Sequence, residues 1–121
     1  SFQASIMQAA FINETGGPEK INFGDLPDPT CGDHQVKIRV RRVSVNPIDT
    51  YIRNGANYWP LPNPFIIGCD FAGEVIQVGS QVDAKLYPHL QVGQRVWGSN
   101  QGLLGRQGTF AQQIVVEPQW I

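Results

Sequence analysis

The sequence predicts a small, mainly β protein built as a barrel or sandwich, on three observations. Short runs rich in β-branched and aromatic residues recur along the chain. Glycine and proline clusters separate those runs at close intervals, the punctuation of antiparallel strands. Only one stretch carries helix start and stop signals, and no alternation of strands with long helical patterns suggests a parallel sheet.

In chain order, residues 8–12 read as a first strand. Residues 14–19, ETGGPE, form a turn, with Gly16 and Gly17 available for positive φ and Pro18 fixing the exit. Residues 21–24 read as a second short strand. Residues 26–34 contain Pro27, Pro29 and Gly32 and read as a loop. Val36, Ile38 and Val40 alternate with Lys37, Arg39 and Arg41, as in a half-exposed strand. The apolar phase then moves to Val43 and Val45. One inserted residue produces such a shift, so a β-bulge is predicted near Arg41 and Arg42.

Asn46-Pro47 opens the helix: Asn is a favoured N-cap and Pro suits the first helical position. Asp49 lies in the first turn, where negative charge meets the helix dipole. Gly55 supplies the stop. A helix is therefore predicted over residues 47–54. Residues 59–65 hold three prolines and read as an extended loop.

The stretch 64–82, PFIIGCDFAGEVIQVGSQV, is the most tightly punctuated part of the chain. Its apolar run reads as a strand buried on both faces. Gly68, Gly73 and Gly79 inside it mark bulges or places where another backbone, or a ligand, comes close. Cys69 and Asp70 stand at its entry, a position that suits a site and equally an ordinary core. Residues 81–91 read as a loop and 92–97 as a strand. Residues 98–108, GSNQGLLGRQG, lack the glycine-loop-to-helix context of a phosphate-binding fingerprint and read as a plain connector. Residues 109–116 form a last strand.

With 121 residues the chain is long enough for one domain with a genuine core. A net charge of −1 gives no reason to invoke nucleic acid or an anionic membrane. The basic residues between Lys37 and Arg42 alternate with apolar ones, as a strand's solvent face does. No apolar segment is long enough to span a bilayer, and the N-terminus lacks a signal-peptide pattern. Two cysteines, Cys31 and Cys69, do not make a disulfide framework, so a reduced, cytoplasmic setting is expected.

The order G-x-D-x-x-G-x-V-x-x-x-G-x-x-V from Gly68 to Val82 resembles the G-H-E-x-x-G signature of the medium-chain dehydrogenase/reductase superfamily. VSVNPIDTYIRNG (43–55) resembles the matching segment of its zinc-free quinone oxidoreductase branch. VGQRVWG (92–98) and GTFAQQIVV (108–116) resemble two further family strands, in family order and spacing. The resemblance implies a GroES-like, partly open barrel over residues 7–121, preceded by an extension of residues 1–6. It also implies an NADPH-dependent enzyme that passes hydride to a quinone or other activated enone, and a homo-oligomer.

Zinc-dependent members place zinc ligands at the positions matching Asn46 and Cys69. An amide is a poor zinc ligand, and the segment after Trp97 lacks the four cysteines of a structural zinc lobe, so no zinc is expected. His34 and His89 lie in loops and read as surface residues. The resemblance places Asn46 and Tyr51 beside the nicotinamide and its ribose. Tyr51 can donate a hydrogen bond and offer a flat ring; Asn46 can donate and accept. Asn46 also fits a pure helix cap, Asp49 either a dipole partner or a catalytic group, and Tyr58 and Trp59 either an aromatic wall for a flat substrate or rim packing.

The chain contains no βαβ unit for a dinucleotide pyrophosphate. In the resembled family a cofactor-binding domain follows, and a later segment returns to the barrel. The chain is thus expected to be incomplete and inactive by itself, with an exposed apolar face. A stand-alone binding or assembly module and an enoyl or enone reductase of the same superfamily are the alternatives. A following glycine-rich βαβ segment in the parent reading frame separates the enzyme from the module.

Overall fold

The computed structural model describes residues 5–57 and 59–121. Among the described residues, seven strands form two antiparallel sheets beside one α-helix. The strands are β1 (Ile6–Ile12), β2 (Asn22–Pro27), β3 (Val36–Ser44), β4 (Phe65–Ile66), β5 (Asp70–Val78), β6 (Arg95–Gly98) and β7 (Gln113–Val116). Helix α1 (Pro47–Asn54) lies between β3 and β4. One sheet has the order β2-β1-β4, the other β6-β5-β3-β7. Neither closes on itself. They are stitched together by an isolated bridge between Ala9 and Ala111, and by Gln112, whose N–H donates to Gln8 O and whose carbonyl accepts Val40 N–H.

Helix α1 keeps the predicted limits. Asn46 precedes it in an extended conformation (φ −119°, ψ 155°), Pro47 opens it, and Gly55 ends it at φ +99°, a left-handed position natural to glycine. The bulge near Arg41 is also present: Val40 pairs with Gly73 and Arg42 with the next residue, Ala72. The extra residue decides which side chain arrives at the end of the ladder. Without it Val43 would face Asp70; with it Ser44 does. A second irregularity, between Lys37 and Ile38, left no trace in the polar–apolar pattern.

Several expectations need correction. The run from residue 64 onward is not one strand buried on both faces. It breaks at Gly68 (φ +117°), sending β4 to one sheet and β5 to the other. Along β5, Phe71, Gly73 and Val75 are buried while Ala72, Glu74 and Ile76 are half-exposed. An antiparallel strand with one face on the core behaves in this way. β1 begins at Ile6, which pairs with Pro27, one residue inside the expected extension of residues 1–6; residues 1–4 of that extension lie outside the described residues. β2 runs on to Pro27 because its pairing with β1 overrides the proline-rich composition at that edge. The last strand is shorter than expected and starts at Gln113.

The core has three parts. Val36, Ile38, Phe71, Val75, Leu90, Ile114 and Val116 fill the four-stranded sheet's inner face. Ile12, Ile52, Phe65 and Ile67 form a second cluster, with Trp59, Leu61, Leu103 and Phe110 packed on it. Met7, Ala9 and Ile66 form a third. Through Ile52, the buried residue of its apolar face, α1 is seated on the second cluster. Arg53 ties the helix to the preceding turn: its Nε donates to Gly16 O at 3.2 Å, and its carbonyl accepts Gly16 N–H at 2.8 Å. The ETGGPE turn and the helix therefore hold each other.

Candidate active site

The polar groups of interest gather where β3 ends, β5 begins and β6 ends. These strands are neighbours in the order β6-β5-β3, and their antiparallel directions bring the three ends to one edge of the sheet. Ser44 closes β3, Asp70 opens β5, and Ser99 follows Gly98 of β6. The chain leaving β3 passes through Asn46 into α1, which adds Asp49.

Asp70 is the hub. Its Oδ2 accepts Ser44 Oγ at 3.1 Å and Asn46 Nδ2 at 2.8 Å; its Oδ1 accepts Ser99 Oγ at 2.5 Å. Ser99 Oγ also lies 3.8 Å from Cys69 Sγ. The Asp70 main-chain carbonyl accepts Thr109 Oγ1 at 2.8 Å, and Thr109 is fully buried. On the other side of Asn46, the Asp49 carboxylate accepts the Asn46 main-chain N–H at 2.8 Å. Asp49 is itself buried, 5% exposed. Asn46 is thus held by two carboxylates, through its side chain and its backbone.

The two carboxylates titrate in opposite directions. The Ser99 hydroxyl above all, helped by the Asn46 amide, the Ser44 hydroxyl and the Cys69 thiol, holds Asp70 below its ordinary value of 3.8; burial, second only to Ser99 in size, opposes them. Burial pushes Asp49 up from the same value, aided by the negative charge of Asp70 and opposed by the Asn46 N–H. Asp70 therefore contributes stability that is present above the unfolded-state pKa and lost as pH falls through its lower folded value. Asp49 behaves oppositely: its contribution is present below the unfolded value and lost as pH rises through the raised one. Asp70→Asn is expected to lower stability near neutral pH, with the gap to the native protein closing as pH drops below about 4. Thermal unfolding of both proteins across that range checks the sign; a gap that widens on acidification contradicts it.

Other predicted positions fall differently. Tyr51 stands 56% exposed on the helix that Asn46 opens. Val45 and Ile48, close to Asn46 in sequence, are exposed apolar side chains. Trp59 is half-buried, packs on the Phe65 cluster and lines a cavity of about 390 Å³ near Gly55, at the opposite end of α1 from Asn46. Tyr58 lies outside the described residues. His34 and His89 are exposed. A larger cavity, about 490 Å³, runs along β7 against Met7, Leu26 and Pro27; neither Asn46, Tyr51 nor Asp70 lines it.

Ser44 and Ser99 escaped the sequence reading. The bulge that was legible does place Ser44 opposite Asp70. Ser99 gave no comparable signal, because it sits in the segment taken for a plain connector. That connector is a loop, but part of it is buried: Gln101 is 3% exposed, its N–H donates to Cys69 O, and Gly102 lies against the Gly68 carbonyl.

As a zinc site the two matching positions fit poorly. Asn46 offers an amide whose nitrogen is turned to Asp70, and Cys69 offers one buried thiol beside Ser99. Among the described residues no three His, Cys, Asp or Glu side chains come together. Nor is any helix among them long and apolar enough to cross a membrane.

The alcohol dehydrogenase GroES-like domain family model matches residues 32–121. Quinone oxidoreductase of Lama guanicoe is 40% identical over 80 residues, 65% of this chain and 24% of that protein. The enoyl reductase component lovC of the lovastatin nonaketide synthase, from Aspergillus terreus, is 39% identical over 93 residues, 74% of this chain and 23% of that protein. The solved structure of the quinone oxidoreductase from Coxiella burnetii superposes with a TM-score of 0.82 at 28% identity, over 96% of this chain and 36% of that one. The chain spans about a quarter of the length of these curated relatives.

Proposed function

Since the chain belongs to the alcohol dehydrogenase GroES-like domain family of the medium-chain dehydrogenase/reductase superfamily, we propose that it is the catalytic domain of a zinc-independent, NADPH-dependent reductase of quinones or other activated enones. The observation that carries this proposal is the pinned Asn46 carboxamide, opening the helix that also presents Tyr51 to solvent. When bound, NADPH would supply a hydride to the acceptor and leave as NADP⁺, with a proton from water completing the reduction. The chain's own residues would orient the cofactor and acceptor. Asn46 and Tyr51 would meet the nicotinamide end through hydrogen bonds and ring contact, and the exposed apolar side chains of Val45 and Ile48 suit a flat, weakly polar ligand. Asp49 serves here as the buried first-turn partner of the cap, its carboxylate accepting the Asn46 main-chain N–H. Tyr58 and Trp59 remain proposed substrate neighbours, Trp59 only for a ligand that reaches the far end of the helix.

The described residues contain no βαβ unit to cradle a pyrophosphate, so the cofactor's other half would be held by a separate domain of the complete protein. We propose that this chain alone has no reductase activity and that the complete protein is a homo-oligomer. The test is an NADPH oxidation assay with a quinone acceptor on the complete protein and on this chain. Activity in the first and none in the second is expected; oxidation by the isolated chain contradicts the proposal. Stoichiometric zinc in the purified protein would overturn the metal-free part of it. In the complete protein, Tyr51→Phe is expected to raise the KM for NADPH or lower kcat several-fold, the loss of one hydrogen bond worth about 1 kcal/mol. Unchanged kinetics would remove Tyr51 from the site.

An enoyl reductase is the second reading, favoured by the similarity to the enoyl reductase component of Aspergillus terreus. Comparing kcat/KM for a quinone and an enoyl thioester on the complete protein separates the two.

A further inference from the structure

We infer that Asp70 is a positioning residue, whose carboxylate, anchored by Ser44 and Ser99, holds the Asn46 carboxamide in one orientation toward the bound nicotinamide. The inference deepens the proposal above and rests on its placing of Asn46 at the cofactor.

A carboxamide has two ends of similar shape and opposite hydrogen-bonding character. In a half-buried, otherwise free asparagine the two orientations interchange, and a ligand that needs one of them must select it. Here the choice is made by a neighbour. An ionised carboxylate can only accept hydrogen bonds, so an Asn46 oxygen turned toward Asp70 would place acceptor against acceptor. The nitrogen must face it, and Nδ2 lies 2.8 Å from Oδ2.

The carboxylate is fixed in its turn. Ser99 Oγ holds Oδ1 and Ser44 Oγ holds Oδ2, from the strands on either side of β5. These two donors, with the Asn46 amide, stabilise the ionised form, which is acceptor-only at both oxygens. The Asn46 backbone is pinned separately by Asp49. Every link from sheet edge to amide is therefore made before a ligand arrives, and pre-set geometry of this kind is where displacements of about 1 Å can cost up to about 100-fold in rate. Asp70 reaches the cofactor only through Asn46, which gives the inference its signature.

The test is a double-mutant cycle on the complete enzyme, reading kcat/KM for NADPH with a quinone acceptor alongside thermal stability. Asn46→Ala and Asp70→Ala are each expected to lower kcat/KM about 10-fold, and Ser99→Ala a few-fold. The Asn46→Ala/Asp70→Ala double variant is expected to be no worse than Asn46→Ala alone. If Asp70→Ala does not fold, Ser99→Ala and Ser44→Ala take its place, with the same prediction that their losses vanish on the Asn46→Ala background. An impaired Asn46→Ala beside Asp70 and Ser99 variants that lower only thermal stability would overturn this inference and leave the proposed function standing. Losses that add in the double variant would likewise overturn it, because Asp70 would then act independently of Asn46. An Asn46→Ala enzyme with native kinetics would overturn the placing of Asn46 at the cofactor, and this inference with it.

Discussion

Gly73→Val is expected to prevent the protein from accumulating in folded form. Gly73 is buried in β5, paired with Val40 next to the Arg41 bulge. A Cβ built there overlaps the main-chain carbonyl oxygen of Arg39 and meets Ile38 Cγ2 at 3.0 Å. The first obstacle is backbone of the neighbouring strand, which cannot rotate away as a side chain can. To admit valine, β3 and β5 would have to separate at the centre of the four-stranded sheet, losing ladder hydrogen bonds and disturbing Ile38, which is fully buried. Over-packing typically costs about 1–3 kcal/mol; adding broken backbone pairing raises the expected loss to at least about 4 kcal/mol. That is a large fraction of the 5–15 kcal/mol or so that holds a typical domain. Soluble yield and thermal unfolding measure it. A Gly73→Val protein that folds with native stability would mean that the strands do not approach as closely as described.

Phe65→Ala carries the second large effect, and this one extends to the site. Phe65 is 1% exposed and packs with Ile12, Ile52 and Ile67. Deleting its ring is expected to cost about 3–5 kcal/mol, the lost burial plus the cavity left behind. Ile52 belongs to α1, so the same cavity loosens the seat of the helix that carries Asp49 and Tyr51 and is capped by Asn46. The variant is therefore expected to show a lower denaturation midpoint and, on the function proposed above, a raised KM for NADPH. Phe65→Leu, which keeps most of the apolar volume, should lose less of both. A Phe65→Ala enzyme with weakened stability but native KM would show that the helix is held by its polar contacts, Arg53 to Gly16 and Asp49 to Asn46, without need of the cluster beneath it.

Strand β3, helix α1 and the bulge were legible because each is written locally. Alternation in Val36, Ile38 and Val40 declares a face; the change of phase at Arg41-Arg42 declares an extra residue; Asn46-Pro47 and Gly55 declare the ends of a helix. The split between β4 and β5 was not legible. An unbroken apolar run looks the same whether both faces are buried or two successive pieces each bury one face in different sheets, and only the positive φ at Gly68 separates the cases. The extension of β2 to Pro27 was hidden for a similar reason: an edge strand tolerates a proline that composition counts against it.

At the candidate site, Asn46, Asp49, Tyr51 and Asp70 could be singled out from residue type and motif position alone. That Asn46 and Asp70 touch, that Ser44 and Ser99 complete the cluster, and that Trp59 stands at the other end of the helix could not. Those contacts join residues 24 to 29 positions apart across β3, β5 and β6. The amino-acid order alone determined the mainly β class, the helix and its cap, and the family. Tertiary structure decided which polar groups meet, because antiparallel pairing brings three strand ends to one edge, and no local pattern records which residues a sheet will make neighbours.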